Sequence, residues 1–142
     1  MLFLQSCLPD YFPRRDLKET ISEEQVIGRW HLTEESAAML DRRGLTASSR
    51  DSTVEFFRDG RCILHNFVYG DDPITDDGTW KIQHDVAEGG GSFRKNELRI
   101  TVMSSGKPGI CFINFCRKHK RLFLWQYHGD PDGREYIEYE RE

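Results

Sequence analysis

Cys111, Cys116, His119 and His128 are side chains of the types that hold zinc, and they fall within one short stretch of the chain. A structural zinc site gathers four such donors at about 2.0–2.3 Å, which is why its ligands come in close pairs. Neither C-x-x-C nor H-E-x-x-H occurs here. Cys111 and Cys116 are five positions apart in a run that reads as one strand, so alternation sends them to opposite faces. Neither a metal site nor a disulfide is expected from them. The acidic run Asp71-Asp72-Pro73-Ile74-Thr75-Asp76-Asp77 lacks the D-x-[DN]-x-[DN]-G spacing of a calcium loop and reads as a solvated loop. The basic run Arg117-Lys118-His119-Lys120-Arg121 has the charge to dock an anionic lipid surface or an acidic partner, and its simpler reading is a solvated hairpin tip. No G-x-S-x-G, phosphate-cradling glycine loop or dinucleotide fingerprint is present, so no catalytic residue and no cofactor is assigned.

These residues must be positioned by one folded domain, since 142 residues suffice for one sizeable core. Nine Phe, five Tyr and three Trp supply that core, and a net charge of −4 argues against a nucleic-acid partner. Residues 1–21, with Pro9 and Pro13, read as an extended leader, and 22–142 as the domain. Within the leader, Leu4-Gln5-Ser6-Cys7 resembles the end of a bacterial lipoprotein signal. The resemblance implies a lipid on Cys7 and a place on the periplasmic side of the cell envelope. Read instead as an apolar tip with an incidental cysteine, the same segment leaves the protein cytoplasmic. No run approaches the ~20 apolar residues of a spanning helix.

Ser22-Glu23-Glu24-Gln25 has the S-x-x-Q form of a capping box and predicts a short helical turn. Eight β-prone runs follow, over residues 26–34, 53–58, 61–68, 78–83, 96–103, 109–117, 120–128 and 134–140. Asp59-Gly60 predicts a type I′ hairpin turn, and Pro131-Asp132-Gly133 a turn before the last strand. Ser36 to Arg43, stopped by Gly44, reads as a short helix suited to lid one barrel end, and Gly89-Gly90-Gly91-Ser92 as a flexible loop. Tight turns between successive strands predict an all-β, antiparallel up-and-down meander that closes into a barrel of about eight strands and so removes its edges.

Val26-Ile27-Gly28-Arg29-Trp30-His31-Leu32, with a helical turn before it and a meander after it, resembles the G-x-W opening of lipocalins and other calycins. The resemblance implies that Trp30 plugs the closed barrel end, that Gly28 lets the preceding turn approach it, and that a basic residue of the last strand, Arg141, packs across the indole in a structural contact. Where typical lipocalins carry a Thr-Asp-Tyr-like segment this chain has its basic run, which points to a compact, lipocalin-like bacterial relative.

Alternation propagated from Trp30 gives an inward set of Leu32, Val54, Phe56, Trp80, Ile82, Leu98, Ile100 and Val102. Such a set either lines a pocket or fills an eight-stranded barrel. The leading expectation is therefore a non-enzymatic, lipocalin-like binding protein, a monomer or weak homodimer, that carries a small hydrophobic molecule in the barrel. Its rival is a filled barrel acting as an interaction or inhibitor module, and a small enzyme comes third. Strands six and seven are apolar on both faces (Ile110, Phe112, Leu122 and Leu124 alternating with Cys111, Ile113, Phe115, Phe123, Trp125 and Tyr127), so their outer face needs a cover. Leu8, Tyr11, Phe12 and Leu17 of the leader are the expected cover, with a second copy of the chain as the alternative.

Overall fold

Eight antiparallel strands in sequence order close on themselves, β1 pairing with both β2 and β8, in a computed structural model that describes residues 17–44, 51–70, 73–104, 107–129 and 135–142. The order is α1 (Glu23–Val26), β1 (Gly28–Leu32), α2 (Glu34–Arg42), β2 (Thr53–Phe56), β3 (Arg61–Val68), β4 (Pro73–Gly89), β5 (Ser92–Ser104), β6 (Lys107–Lys118), β7 (Arg121–Tyr127) and β8 (Tyr136–Arg141). This is the all-β meander barrel expected from the spacing of turns, and it is consistent with a calycin-like fold. Cys7, Leu8, Tyr11, Phe12, Asp71, Asp72 and the Pro131-Asp132-Gly133 turn lie outside the described residues.

The first strand is shorter than the expected 26–34, because both of its flanks are helical. In α1 the Gln25 side chain accepts from the Ser22 backbone N–H at 2.9 Å, as a capping box requires. At the other flank Thr33 caps α2 by accepting from the Ser36 N–H at 3.3 Å, so that helix starts two residues before the expected Ser36. It leaves β1 at the end opposite Trp30 and adds Ala37, Met39 and Leu40 to the cluster that fills the barrel. Ser36 then moors it to β8 by accepting from the Glu138 N–H at 2.9 Å.

Three turn and loop assignments need correction. Asp59-Gly60 is not a type I′ turn: only Gly60 has positive φ (+90°), and the Gly60 N–H donates to the Phe57 carbonyl at 3.1 Å. A type I turn followed by a left-handed glycine bulge joins β2 to β3, an arrangement that needs only one such residue. The glycine run is no flexible loop, because Gly89 pairs with Ser92 across Gly90 (φ +59°) and Gly91 (φ +81°), a two-residue turn of the I′ kind. Residues 73–77 of the acidic run are strand, with Asp76 opposite Leu64 and Asp77 opposite Ile63. Ile74 turns to the core there, and partner strands and burial outweigh the poor intrinsic strand preference of aspartate.

That pairing makes β4 seventeen and β5 thirteen residues long, well beyond the expected 78–83 and 96–103. Their far halves run past the closed end and receive residues 17–22. Asn96 accepts from the Ile21 N–H at 2.8 Å and donates to the Glu19 carbonyl at 2.8 Å, while His84 donates to the Ile21 carbonyl at 2.9 Å. Ile21 is fully buried, and Leu17 packs on the same main cluster rather than on the outer face of β6 and β7, as expected of it. That outer face carries a separate cluster of Cys116, Phe123 and Trp125 with Tyr136 against it. Ile110, Phe112 and Tyr127, nearer the other end, stay substantially exposed.

Candidate functional site

The inward residues expected from alternation meet in one cluster: Trp30, Leu32, Val54, Phe56, Trp80, Leu98, Ile100 and Val102 are buried, and Ile82 is partly buried against them. Phe56 meets Trp80 edge to face at 5.4 Å, and the Trp80 indole N–H donates to the Phe57 carbonyl at 2.9 Å. Trp30, Val54, Leu98 and Ile100 are 0% exposed and Phe56 is 1% exposed. A side chain bordering a void the size of a water molecule would show accessible surface, so these five border none. Leu64, Phe67, Ile113, Leu124 and Ile137 complete the filling from β3, β6, β7 and β8. Alternation within those strands was the signal for them. On β6 and β7 it is blurred by the second apolar face, and only the pairing shows that Leu124 faces in while Trp125 faces out.

The barrel's closed end is built by β1, β8 and α1. Trp30 and Arg141 are paired across β1 and β8, and the guanidinium carbon lies 5.9 Å from the indole centroid. The indole N–H donates to the Val26 carbonyl at 2.9 Å. Arg141 reaches on to the α1 carbonyls, donating to Gln25 at 3.2 Å and also to Ile27. A cation is favoured there, because the last carbonyls of a helix have no partner of their own. Gly28 has φ +131°, and a Cβ on it would come within 3.0 Å of Arg141 Nε, so both backbone conformation and space call for glycine.

Beside this plug lies a cleft of about 290 Å³ lined by Gln25, Trp30, Arg117, Arg121, Leu122 and Arg141. Arg117 ends β6 and forks onto Glu19, with Nη2 at 3.2 Å from Oε2, and its Nη1 donates to the Lys120 carbonyl at 2.9 Å. Its guanidinium holds the Glu19 carboxyl below the usual carboxylate range. Arg121 opens β7 and sits 3.5 Å from the Glu140 carboxylate. The turn between them, His119 (φ +51°) and Lys120 (φ +68°), is a tight two-residue turn without glycine. The basic run is thus only partly a solvated tip: Arg117 and Lys118 are half-buried and paired, Lys118 with the buried Glu138 at 2.7 Å.

A second cleft, about 260 Å³, lies between α2 and β8 and is bordered by Glu35, Ser36, Met39, Arg42, Glu135, Tyr136 and Glu138. Near that end of the barrel, His128 is buried and its Nδ1 is 2.9 Å from Arg43 Nη1. Arginine can only donate, so Nδ1 accepts and the ring proton sits on Nε2, which has no hydrogen-bond partner among the described residues. The residues of the zinc question are not brought together. Cys111 joins the main cluster and Cys116 the outer one, His119 is at an exposed turn and His128 is inside, and among the described residues no group of three metal-ligating side chains forms. Burial pushes the Cys62 thiol up to about 12 and the Cys111 thiol up to about 11, the opposite of what a nucleophilic cysteine needs.

Among the described residues the arrangement therefore offers a barrel filled around Trp30, Val54, Leu98 and Ile100, a plugged end and an arginine-lined cleft beside that end. Compared with known proteins, the chain matches no family model, no curated protein and no solved structure.

Proposed function

We propose that this protein is a non-enzymatic binding module that works from its outer surface, with the barrel as a packed support for the loops and side chains around it. The observation that carries the reading is the complete burial of Trp30, Val54, Leu98 and Ile100 with Phe56 beside them. Carriage of an apolar molecule needs an enclosed space of roughly 300 Å³ or more. Side chains packed at interior density do not yield that space without unfolding part of the core. Two clefts lined by described residues, one beside the Trp30 end and one between α2 and β8, carry charged side chains, which suits recognition of a polar partner rather than storage of a lipid.

Native mass spectrometry of protein purified from cells tests this reading. The expected spectrum contains the bare chain, apart from any covalent lipid. A stoichiometric, non-covalently bound apolar molecule that is lost on denaturation would overturn it and restore carriage in the lumen.

A further inference from the structure

We infer that the cleft at the closed end is a binding site for a phosphate monoester. It deepens the outer-surface reading and rests on it only in placing the ligand outside the barrel. Three arginines from three strands line it: Arg117 near the end of β6, Arg121 at the start of β7 and Arg141 at the end of β8. Among the described residues no carboxylate lines the cleft; Glu19 and Glu140 touch Arg117 and Arg121 from outside it. This concentration of positive charge stands on a chain whose net charge is −4, so it is a local feature that would draw an anion to one place.

The three arginines are held differently, and the difference suits a ligand. Arg117 is fixed by Glu19 and by the Lys120 carbonyl, and Arg141 by α1 carbonyls and the Trp30 face, so two of the three are already oriented. Arg121 is 60% exposed, with a long contact to Glu140 at 3.5 Å and its guanidinium carbon 5.7 Å from the Phe123 ring centroid, so a ligand has only these two surface contacts to displace. A guanidinium presents a planar fork of donors that matches two oxygens of one anion. After these contacts Arg117 and Arg141 each keep two N–H donors, and with the Arg121 fork they offer more than the two oxygens of a carboxylate accept, whereas the three terminal oxygens of a phosphate monoester can take them. The cleft's volume of about 290 Å³ leaves room beyond the phosphate, and Leu122 gives that remainder an apolar contact, with the Gln25 amide beside it.

The test is a two-dimensional amide NMR titration of the full chain with phenyl phosphate at fixed ionic strength. Saturable shifts at Gln25, Leu122 and the Trp30 indole N–H are expected. Arg121→Gln, an exposed change that spares the core, is expected to weaken binding at least tenfold, and Arg61→Gln at the exposed start of β3, outside both clefts, to leave it unchanged. Inorganic phosphate is expected to bind more weakly than phenyl phosphate, and benzoate weaker still. Co-sedimentation with phosphatidylcholine vesicles doped with phosphatidate, beside the soluble titration, identifies the source: capture points to a lipid headgroup, and binding of phenyl phosphate without capture points to a free ester. The inference is overturned by any one of three results. These are no saturation up to about 10 mM phenyl phosphate, an equal loss in Arg61→Gln, or benzoate binding as tightly as phenyl phosphate. Because the lumen is not probed here, this site can fail while the packed barrel stands, and the reverse.

Discussion

Leu98→Ala separates a packed barrel from a hollow one. Leu98 is fully buried on β5, opposite Ile82 of β4 and Ile113 of β6. The substitution removes three carbons, worth about 2.4 kcal/mol at ~0.8 kcal/mol per methylene. In a packed interior the neighbours collapse only partly, and the residual cavity brings the total to about 3–4 kcal/mol, within the ~2–5 kcal/mol seen for such truncations. For a domain of this size that lowers Tm by about 10 °C. Urea denaturation followed by tryptophan fluorescence measures it, with the slope unchanged if the unfolding remains two-state. In a hollow lumen Leu98 would face open space, and its loss would create no new void. A cost below about 1 kcal/mol would therefore refute the packed interior.

Gly78→Ala places a Cβ 2.4 Å from the Thr101 carbonyl, where only parting of β4 and β5 relieves the clash; a loss of about 1–3 kcal/mol is expected in the same denaturation assay, and an unchanged midpoint would contradict it. Cys62 and Cys111, buried with raised thiol values, are expected to resist iodoacetamide at pH 8 in the native protein and to react in urea, as mapped by peptide mass spectrometry; rapid native labelling of either would show the core open. The Glu19 carboxyl is depressed by Arg117, so its contribution is present above its ordinary titration range and fades as pH falls through the lowered value. Exposure of the pair keeps that to below about 1 kcal/mol, and Glu19→Gln should remove this component of acid sensitivity, read as Tm against pH between about 3 and 6. Palmitate fed to bacteria expressing the gene is expected to label Cys7, and labelling that persists in Cys7→Ser would end the lipoprotein resemblance.

The number and order of the strands were legible because each hairpin is short and each strand alternates, and the plug was legible because Gly28, Trp30 and Arg141 meet at predictable register once the barrel closes. What stayed hidden has physical reasons. The outer halves of β4 and β5 carry many polar side chains (Lys81, Gln83, His84, Asp85, Glu88, Arg94, Lys95, Asn96 and Glu97), so their strand character comes from pairing with each other and not from propensity. The His119-Lys120 turn carries no glycine to announce it. On β6 and β7 two apolar faces gave no phase, and the second cluster around Trp125 emerged only from three-dimensional contacts. The arginine cleft was half-visible: the basic run drew notice for its charge, but Arg141 joins it only because the last strand returns to the first. His128 stood out in sequence only as a zinc-type side chain, and its Arg43 contact comes from across the fold.

The packed interior is the premise of the proposed function, and a crystal structure under xenon pressure examines it most directly, because xenon enters apolar voids that water leaves empty. No xenon among Trp30, Phe56, Leu98 and Ile100 is the result expected of a packed barrel. An ordered xenon atom bounded by those four side chains would contradict it and return the lumen to consideration as the binding site.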